Sequence, residues 1–159
     1  PGMGSVFRVN IPFKKAKEKV PEVKQFEVVQ EHNLKGLRVL MVDDNPMNQF
    51  VNMNFLKMWK TNPDVAGSGP EALEKLGLFD YDVVLLDLQM PEMDGFETAD
   101  HIRSGKAVRK PDIPIVAFSA DVFASTRKKA REHGMKEFIG KPIDPEGLYG
   151  ILKNYREKK

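Results

Sequence analysis

Tyr81-Asp82-Val83-Val84-Leu85-Leu86-Asp87 decides how this chain folds. Four aliphatic residues in a row, with no polar alternation, leave neither face of a strand for water. Such a run fits a parallel strand covered by helices on both sides. It stops on a carboxylate. A second run, Leu37-Arg38-Val39-Leu40-Met41-Val42, stops on Asp43-Asp44, and a third short stretch ends at Lys141-Pro142. Open α/β sheets gather their functional groups beyond the carboxyl ends of the strands, so these side chains are expected along one edge. Crowded carboxylates call for a cation, and a nearby lysine for an anion. The combination points to metal-assisted phosphoryl chemistry.

Outward from that run the chain alternates. A strand at 38–42 precedes a helix from Pro46 to about Met58, in which Met47, Val51, Phe55 and Met58 recur at helical spacing and are expected to face the core. A weak strand at 64–66, a Gly67-Ser68-Gly69-Pro70 turn and a helix at 71–76 follow. After the strand at 81–87, Pro91 and Asp94-Gly95 lead into a helix at 96–103. A loop at 105–114 delivers a strand at 115–119, then a basic helix at 123–133, a strand at 136–140 and a helix at 144–155. Five strand–helix units in series require right-handed crossovers. The fold expected is a doubly wound α/β domain with a five-stranded parallel sheet and helices on both faces. Flavodoxin-like strand order, 2-1-3-4-5, would make strands 1 and 3 neighbours and bring Asp43, Asp44 and Asp87 together.

Composition narrows the function. The chain has 159 residues, 41% hydrophobic and 30% charged, which suits one soluble domain with some excess. No apolar stretch approaches the roughly 20 residues of a membrane-spanning helix. There are no cysteines, which excludes disulfides, thiolate metal sites and cysteine catalysis and is compatible with a reducing cytoplasm. Residues 37–159 hold 18 Lys and Arg against 19 Asp and Glu, while residues 1–36 hold 7 against 4. The basic excess therefore lies in an apparent linker, and nucleic acid is not an expected partner. Arg127, Lys128, Lys129 and Arg131 read as a solvated helix face, and His32, His101 and His133 form no metal-ligand constellation.

Four motifs, each at a strand end, carry a family resemblance: Val42-Asp43-Asp44-Asn45; Asp87-Leu88-Gln89-Met90-Pro91-Glu92-Met93-Asp94-Gly95; Ala117-Phe118-Ser119-Ala120; and Phe138-Ile139-Gly140-Lys141-Pro142. Over about residues 37–156 the chain resembles the receiver domain of two-component response regulators. That resemblance implies that Asp87 accepts a phosphoryl group from a phosphohistidine. It also implies Mg²⁺ on Asp43, Asp44, Asp87 and the main-chain carbonyl of Gln89, with Lys141 and Ser119 on phosphoryl oxygens. Phe138 takes the aromatic switch position, and Gln89 and Asp121 take positions that tune acyl phosphate hydrolysis. Physical chemistry agrees, because clustered carboxylates without a cation raise one another's pKa and would protonate the nucleophile. Taken singly, Asp43 or Asp44 would read as a helix cap and Asp94-Gly95 as a turn.

Residues 1–13, with Gly2-Met3-Gly4-Ser5-Val6-Phe7 and Ile11-Pro12, resemble the last glycine box and final strand of a histidine-kinase ATPase domain. Residues 14–36 read as a linker and 37–159 as the receiver. This order, with no output domain after Lys159, suits a hybrid sensor histidine kinase as parent, membrane-anchored or not, with the receiver in the cytoplasm. Its partners would be the kinase core or a histidine phosphotransfer domain docking near the first helix and Pro142-Ile143. The fragment itself would not turn over ATP. A stand-alone response regulator is the first alternative. A haloacid-dehalogenase-type phosphatase is weaker, because its two aspartates stand one residue apart after strand 1, whereas Asp43 and Asp44 are adjacent.

Overall fold

A computed structural model describes residues 32–157. Five strands and five helices alternate along it. They are β1 (Arg38–Val42), α1 (Pro46–Met58), β2 (Asn62–Ala66), α2 (Gly69–Leu78), β3 (Val83–Asp87), α3 (Gly95–Ser104), β4 (Ile115–Ser119), α4 (Ala124–Glu132), β5 (Glu137–Gly140) and α5 (Pro145–Glu157). All strand pairs are parallel, in the order β2-β1-β3-β4-β5. The expected doubly wound sheet is therefore present. The strand expected near residues 6–13 and most of the linker lie outside the described residues.

Strand parity divides the interior into two cores. Leu40, Val42, Val84, Leu86, Ile115 and Ala117 face α2, α3 and α4, where Leu76, Ala99 and Ile102 complete the packing. Val39, Met41, Val83, Leu85, Val116 and Phe118 face α1 and α5, against Leu56, Trp59, Leu148 and Leu152. Period-two alternation between two covered faces explains why the central strands read as unbroken aliphatic runs. β2 is one of the two edge strands, and its alternation between exposed and half-buried residues explains its weak sequence signal.

Two expectations need correction. Met47, Val51 and Met58 do not face the core: they are 67%, 43% and 70% exposed, and Phe55 is only partly buried. The buried side of α1 is instead Asn52 and Leu56, one helical turn apart. α1 carries apolar residues around most of its circumference, so periodicity alone could not tell which stripe the sheet would cover. The packed body also begins before residue 37. Leu34 is fully buried beside Leu56 and Trp59, and its N–H donates to the Trp59 carbonyl at 2.7 Å. His32 stands edge-on to Tyr149 at 4.1 Å and meets Glu146 at 3.1 Å. Among the described residues the compact unit therefore begins at His32.

Candidate functional site at the carboxyl edge of the sheet

Register aligns the acidic positions. Val42 pairs with Leu86, so Asp43 and Asp87 leave neighbouring strands at the same level. The ladder continues past the strand ends: Asp43 N–H donates to Ala66 O, Leu88 N–H to Phe118 O, and Lys141 N–H to Ser119 O at 2.9 Å. This backbone lattice is what fixes the side chains above it. Lys141 directly follows β5 and is joined to Pro142 by a cis peptide bond.

Asp43 is fully buried and Asp87 only 3% exposed. Lys141 Nζ donates to Asp87 Oδ2 at 2.6 Å and to Asp43 Oδ2 at 3.0 Å. Gln89 N–H donates to Asp87 Oδ1 at 3.1 Å. Burial pushes the Asp87 carboxyl above its ordinary value, against the opposing pull of Lys141 and of the Gln89 N–H. Burial would lower the Lys141 ammonium, but its bonds to Asp87 and Asp43 outweigh that and hold it above its usual range. Asp44 is exposed at the rim, and carboxylate oxygens of Asp43, Asp44 and Asp87 lie within 4.8 Å of one another. Three clustered carboxylates against one ammonium, which bonds Asp43 and Asp87, carry excess negative charge, and their oxygens suit a hard divalent cation that keeps part of its water. The donor set therefore fits Mg²⁺ on chemical grounds.

Asp43 is also held from α1, which sequence reading missed. Asn45 N–H donates to its Oδ1 at 2.9 Å, and Asn48 Nδ2 lies 3.1 Å from both oxygens. Gln49 Nε2 donates to the Asp43 carbonyl at 2.6 Å. Asn45 caps the helix by accepting from Met47 and Asn48 N–H, so the cap belongs to Asn45 and frees Asp43 for the site. The available signal was the spacing: side-chain amides three and four residues beyond an Asn cap lie over the strand end.

On the other strand end, Asp94 caps α3 through a capping box with Glu97, and Gly95 lies against the backbone of Asp87. A Cβ on Gly95 would stand 2.3 Å from the Asp87 carbonyl oxygen, so only glycine permits this approach. The expected turn is thus a helix start clamped on Asp87.

Ser119 is 1% exposed, and its parity in β4 places it with the α2–α4 side, opposite the Asp87 side. Its Oγ accepts from Asp121 N–H at 3.1 Å. It lines a cleft of about 310 Å³ with Gln89, Phe96, Asp121, Thr126 and Lys129. Asp121 is committed to the start of α4, accepting from Phe123 N–H at 3.0 Å and from Thr126 Oγ1 at 2.7 Å. Phe138 is half-buried against the same core, with the Arg127 guanidinium 4.8 Å above its ring. Two cations of the basic run therefore pack on aromatic rings, Lys129 lying 4.0 Å over Phe96. The sequence-selected residues fall into two groups. Asp43, Asp44, Asp87 and Lys141 meet directly, whereas Ser119, Asp121 and Phe138 stand beside them across the rim.

Residues 39–153 match the model of the response regulator receiver domain. The chain belongs to that family. It is 31% identical, over 159 residues and 99% of its length, to the autoinducer 2 sensor kinase/phosphatase LuxQ of Vibrio parahaemolyticus, of which it covers 18%. The receiver domain of the sensor histidine kinase PA1611 from Pseudomonas aeruginosa, crystallised with a magnesium ion in its active-site cleft, superposes with a TM-score of 0.69. That match has 28% identity and covers 77% of this chain and 98% of the other. The receiver domain of Ssk1 from Saccharomyces cerevisiae, solved with the histidine phosphotransfer protein Ypd1, gives 0.68 and 27% identity over 76% and 89% of the two chains. The receiver spans under a fifth of the length of such curated relatives.

Proposed function

We propose that Asp87 is the phosphoacceptor of a phosphorelay. A carboxylate oxygen of Asp87 attacks the phosphorus of a phosphohistidine on a partner. The P–N bond breaks, its electron pair returns to the imidazole, and an acyl phosphate forms. The observation that carries this reading is the buried Asp87 carboxylate held 2.6 Å from Lys141 and beside two further acidic groups. Asp43, Asp44, Asp87 and the Gln89 carbonyl would hold Mg²⁺, which when bound supplies positive charge toward the phosphoryl oxygens and keeps the carboxylates ionised. Lys141 neutralises another phosphoryl oxygen. Phosphoryl transfer asks chiefly for position and charge, and this set provides both.

Ser119 then serves as the hydroxyl that turns toward the phosphoryl group, giving up the Asp121 N–H, while Phe138 leaves its place under Arg127 for the space that Ser119 vacates. The donor is a kinase core or a histidine phosphotransfer domain, as in the Ypd1 complex of a related receiver. It docks over α1 and Pro142-Ile143, where Met47, Phe50 and Val51 present an exposed apolar surface beside the acidic edge. The LuxQ likeness over the whole chain supports a hybrid sensor histidine kinase as the parent, with residues 1–13 ending its ATPase domain, a linker up to the packed segment at 32–34, and the receiver in the cytoplasm. Among the described residues no helix is long and apolar enough to cross a membrane.

Incubation with acetyl phosphate and Mg²⁺ followed by mass spectrometry tests the assignment. Wild type gains one phosphoryl mass, and Asp87→Asn gains none; an equal gain in both moves the acceptor elsewhere.

A further inference from the structure

Lys141 is committed twice before any phosphoryl group arrives. Its ammonium bonds Asp87 Oδ2 at 2.6 Å and Asp43 Oδ2 at 3.0 Å. A phosphoryl group carries about two negative charges against one on Asp43, so it pulls the ammonium toward itself. Asp43 is wholly buried, and a buried carboxylate that loses its cation is strongly destabilised. Among the described residues, two other groups donate to this side chain. Asn45 N–H reaches only Oδ1, at 2.9 Å, whereas the Asn48 amide lies 3.1 Å from each oxygen. Asn48 therefore covers Oδ2, the oxygen that Lys141 gives up.

The first turn of α1 sets that amide in place. Asn45 Oδ1 accepts from the N–H groups of Met47 and Asn48, and Gln49 Nε2 ties the same turn to the Asp43 carbonyl. Neutrality matters as much as reach. A lysine at 48 would cancel the negative charge that calls a cation to the site. An aspartate would add to that charge and offer no proton. An amide supplies donors and leaves the charge as it is.

We propose that Asn48 is a positioning residue for phosphoryl transfer, holding the Asp43 carboxylate in place when Lys141 swings to the phosphoryl oxygen. This rests on the reading of Asp87 as phosphoacceptor, and Asn48 acts through Asp43. At rest, Asn48 shares Oδ2 with Lys141. After the swing it carries that oxygen, and a hydrogen bond to an ionised group strengthens when its competitor leaves. Asn48 thus contributes more to the phosphorylated state than to the resting one. A residue that merely supported the fold would contribute equally to both.

Calorimetric titration with Mg²⁺ alone, and then with beryllium fluoride in excess Mg²⁺, separates these roles, because only the phosphoryl mimic draws Lys141 away. Asn48→Ala leaves the Mg²⁺ dissociation constant unchanged and weakens beryllium fluoride binding about tenfold, the loss of one charge-assisted hydrogen bond. In wild type, which needs no substitution, the Asn48 side-chain amide protons move downfield in nitrogen–proton correlation spectra as beryllium fluoride binds. Equal beryllium fluoride affinity in wild type and Asn48→Ala overturns the proposal. So does a tenfold loss of Mg²⁺ affinity, which would make Asn48 a support of the metal site alone. Amide signals that move toward those of free asparagine overturn it as well. Asp87→Asn binds no beryllium fluoride, and binding that survives in that variant overturns the phosphoacceptor reading instead.

Discussion

The two ends of one sheet treat charge in opposite ways. At the amino end, several charges have a nearby answer. Arg38 N–H donates to Asp82 at 2.7 Å, its guanidinium lies 5.7 Å from the centre of the Tyr81 ring, and the Tyr81 hydroxyl donates to Asp64 at 2.8 Å. Asp80 meets Arg109 and Lys110, each at 3.7 Å, on open surface. At the carboxyl end, the buried Asp43 and Asp87 share Lys141, and Asp44 adds a third carboxylate at the rim. Charge that is matched in water contributes little, while unmatched charge kept out of water stores free energy that a ligand can release. The difference marks where binding happens.

Lys141→Met breaks this contrast most severely. It leaves two buried carboxylates without their ammonium and lowers stability by about 3 kcal/mol in urea unfolding at neutral pH. Added Mg²⁺ raises the unfolding midpoint of this variant more than that of wild type. Gly95→Ala comes next, because its methyl group cannot share space with the Asp87 carbonyl. Moving α3 aside costs about 2 kcal/mol and slows acetyl phosphate labelling as the acidic loop shifts.

Acidity sharpens the comparison further. The folded Asp87 carboxyl sits above the unfolded value of about 3.9, so between those two pKa values the folded chain binds more protons than the unfolded one. Without Mg²⁺, the Asp87 contribution to stability therefore falls as pH rises through that window. Asp87→Asn removes this slope and unfolds at higher urea than wild type at pH 7, a result read from paired titrations. At the matched end, Asp80→Asn changes stability by no more than about 0.5 kcal/mol, and added salt shrinks even that. A larger loss there would show that the two ends are not so different.

The central strands were plain in the sequence because burial on both faces leaves one reading: β1 and β4 span the expected residues 38–42 and 115–119. The four groups Asp43, Asp44, Asp87 and Lys141 were legible for the same reason, since strand ends fix positions without reference to side-chain packing. Helix faces were not legible. Met47, Val51 and Met58 looked inward because α1 is apolar on several sides, and only the sheet beneath selects Asn52 and Leu56 as its covered pair. α2 starts two residues earlier than expected because Ser68 accepts from Glu71 N–H and Pro70 fits the first turn. Asn48 and Gln49 escaped notice because neutral amides reveal a role only when the carboxylate they grip is in place. Leu34 and His32 were assigned to a linker because an isolated leucine and histidine amid charges carry no period.

Odd and even positions along the strands have a last consequence. Asp43, Asp87 and Lys141 continue the residues that face α1 and α5, whereas Ser119 continues those that face α2, α3 and α4. The domain is therefore two-sided. If Asp87 is the phosphoacceptor as proposed, one side takes delivery and the other broadcasts, with the rim of the sheet between Asp87 and Ser119 as the narrow crossing between them.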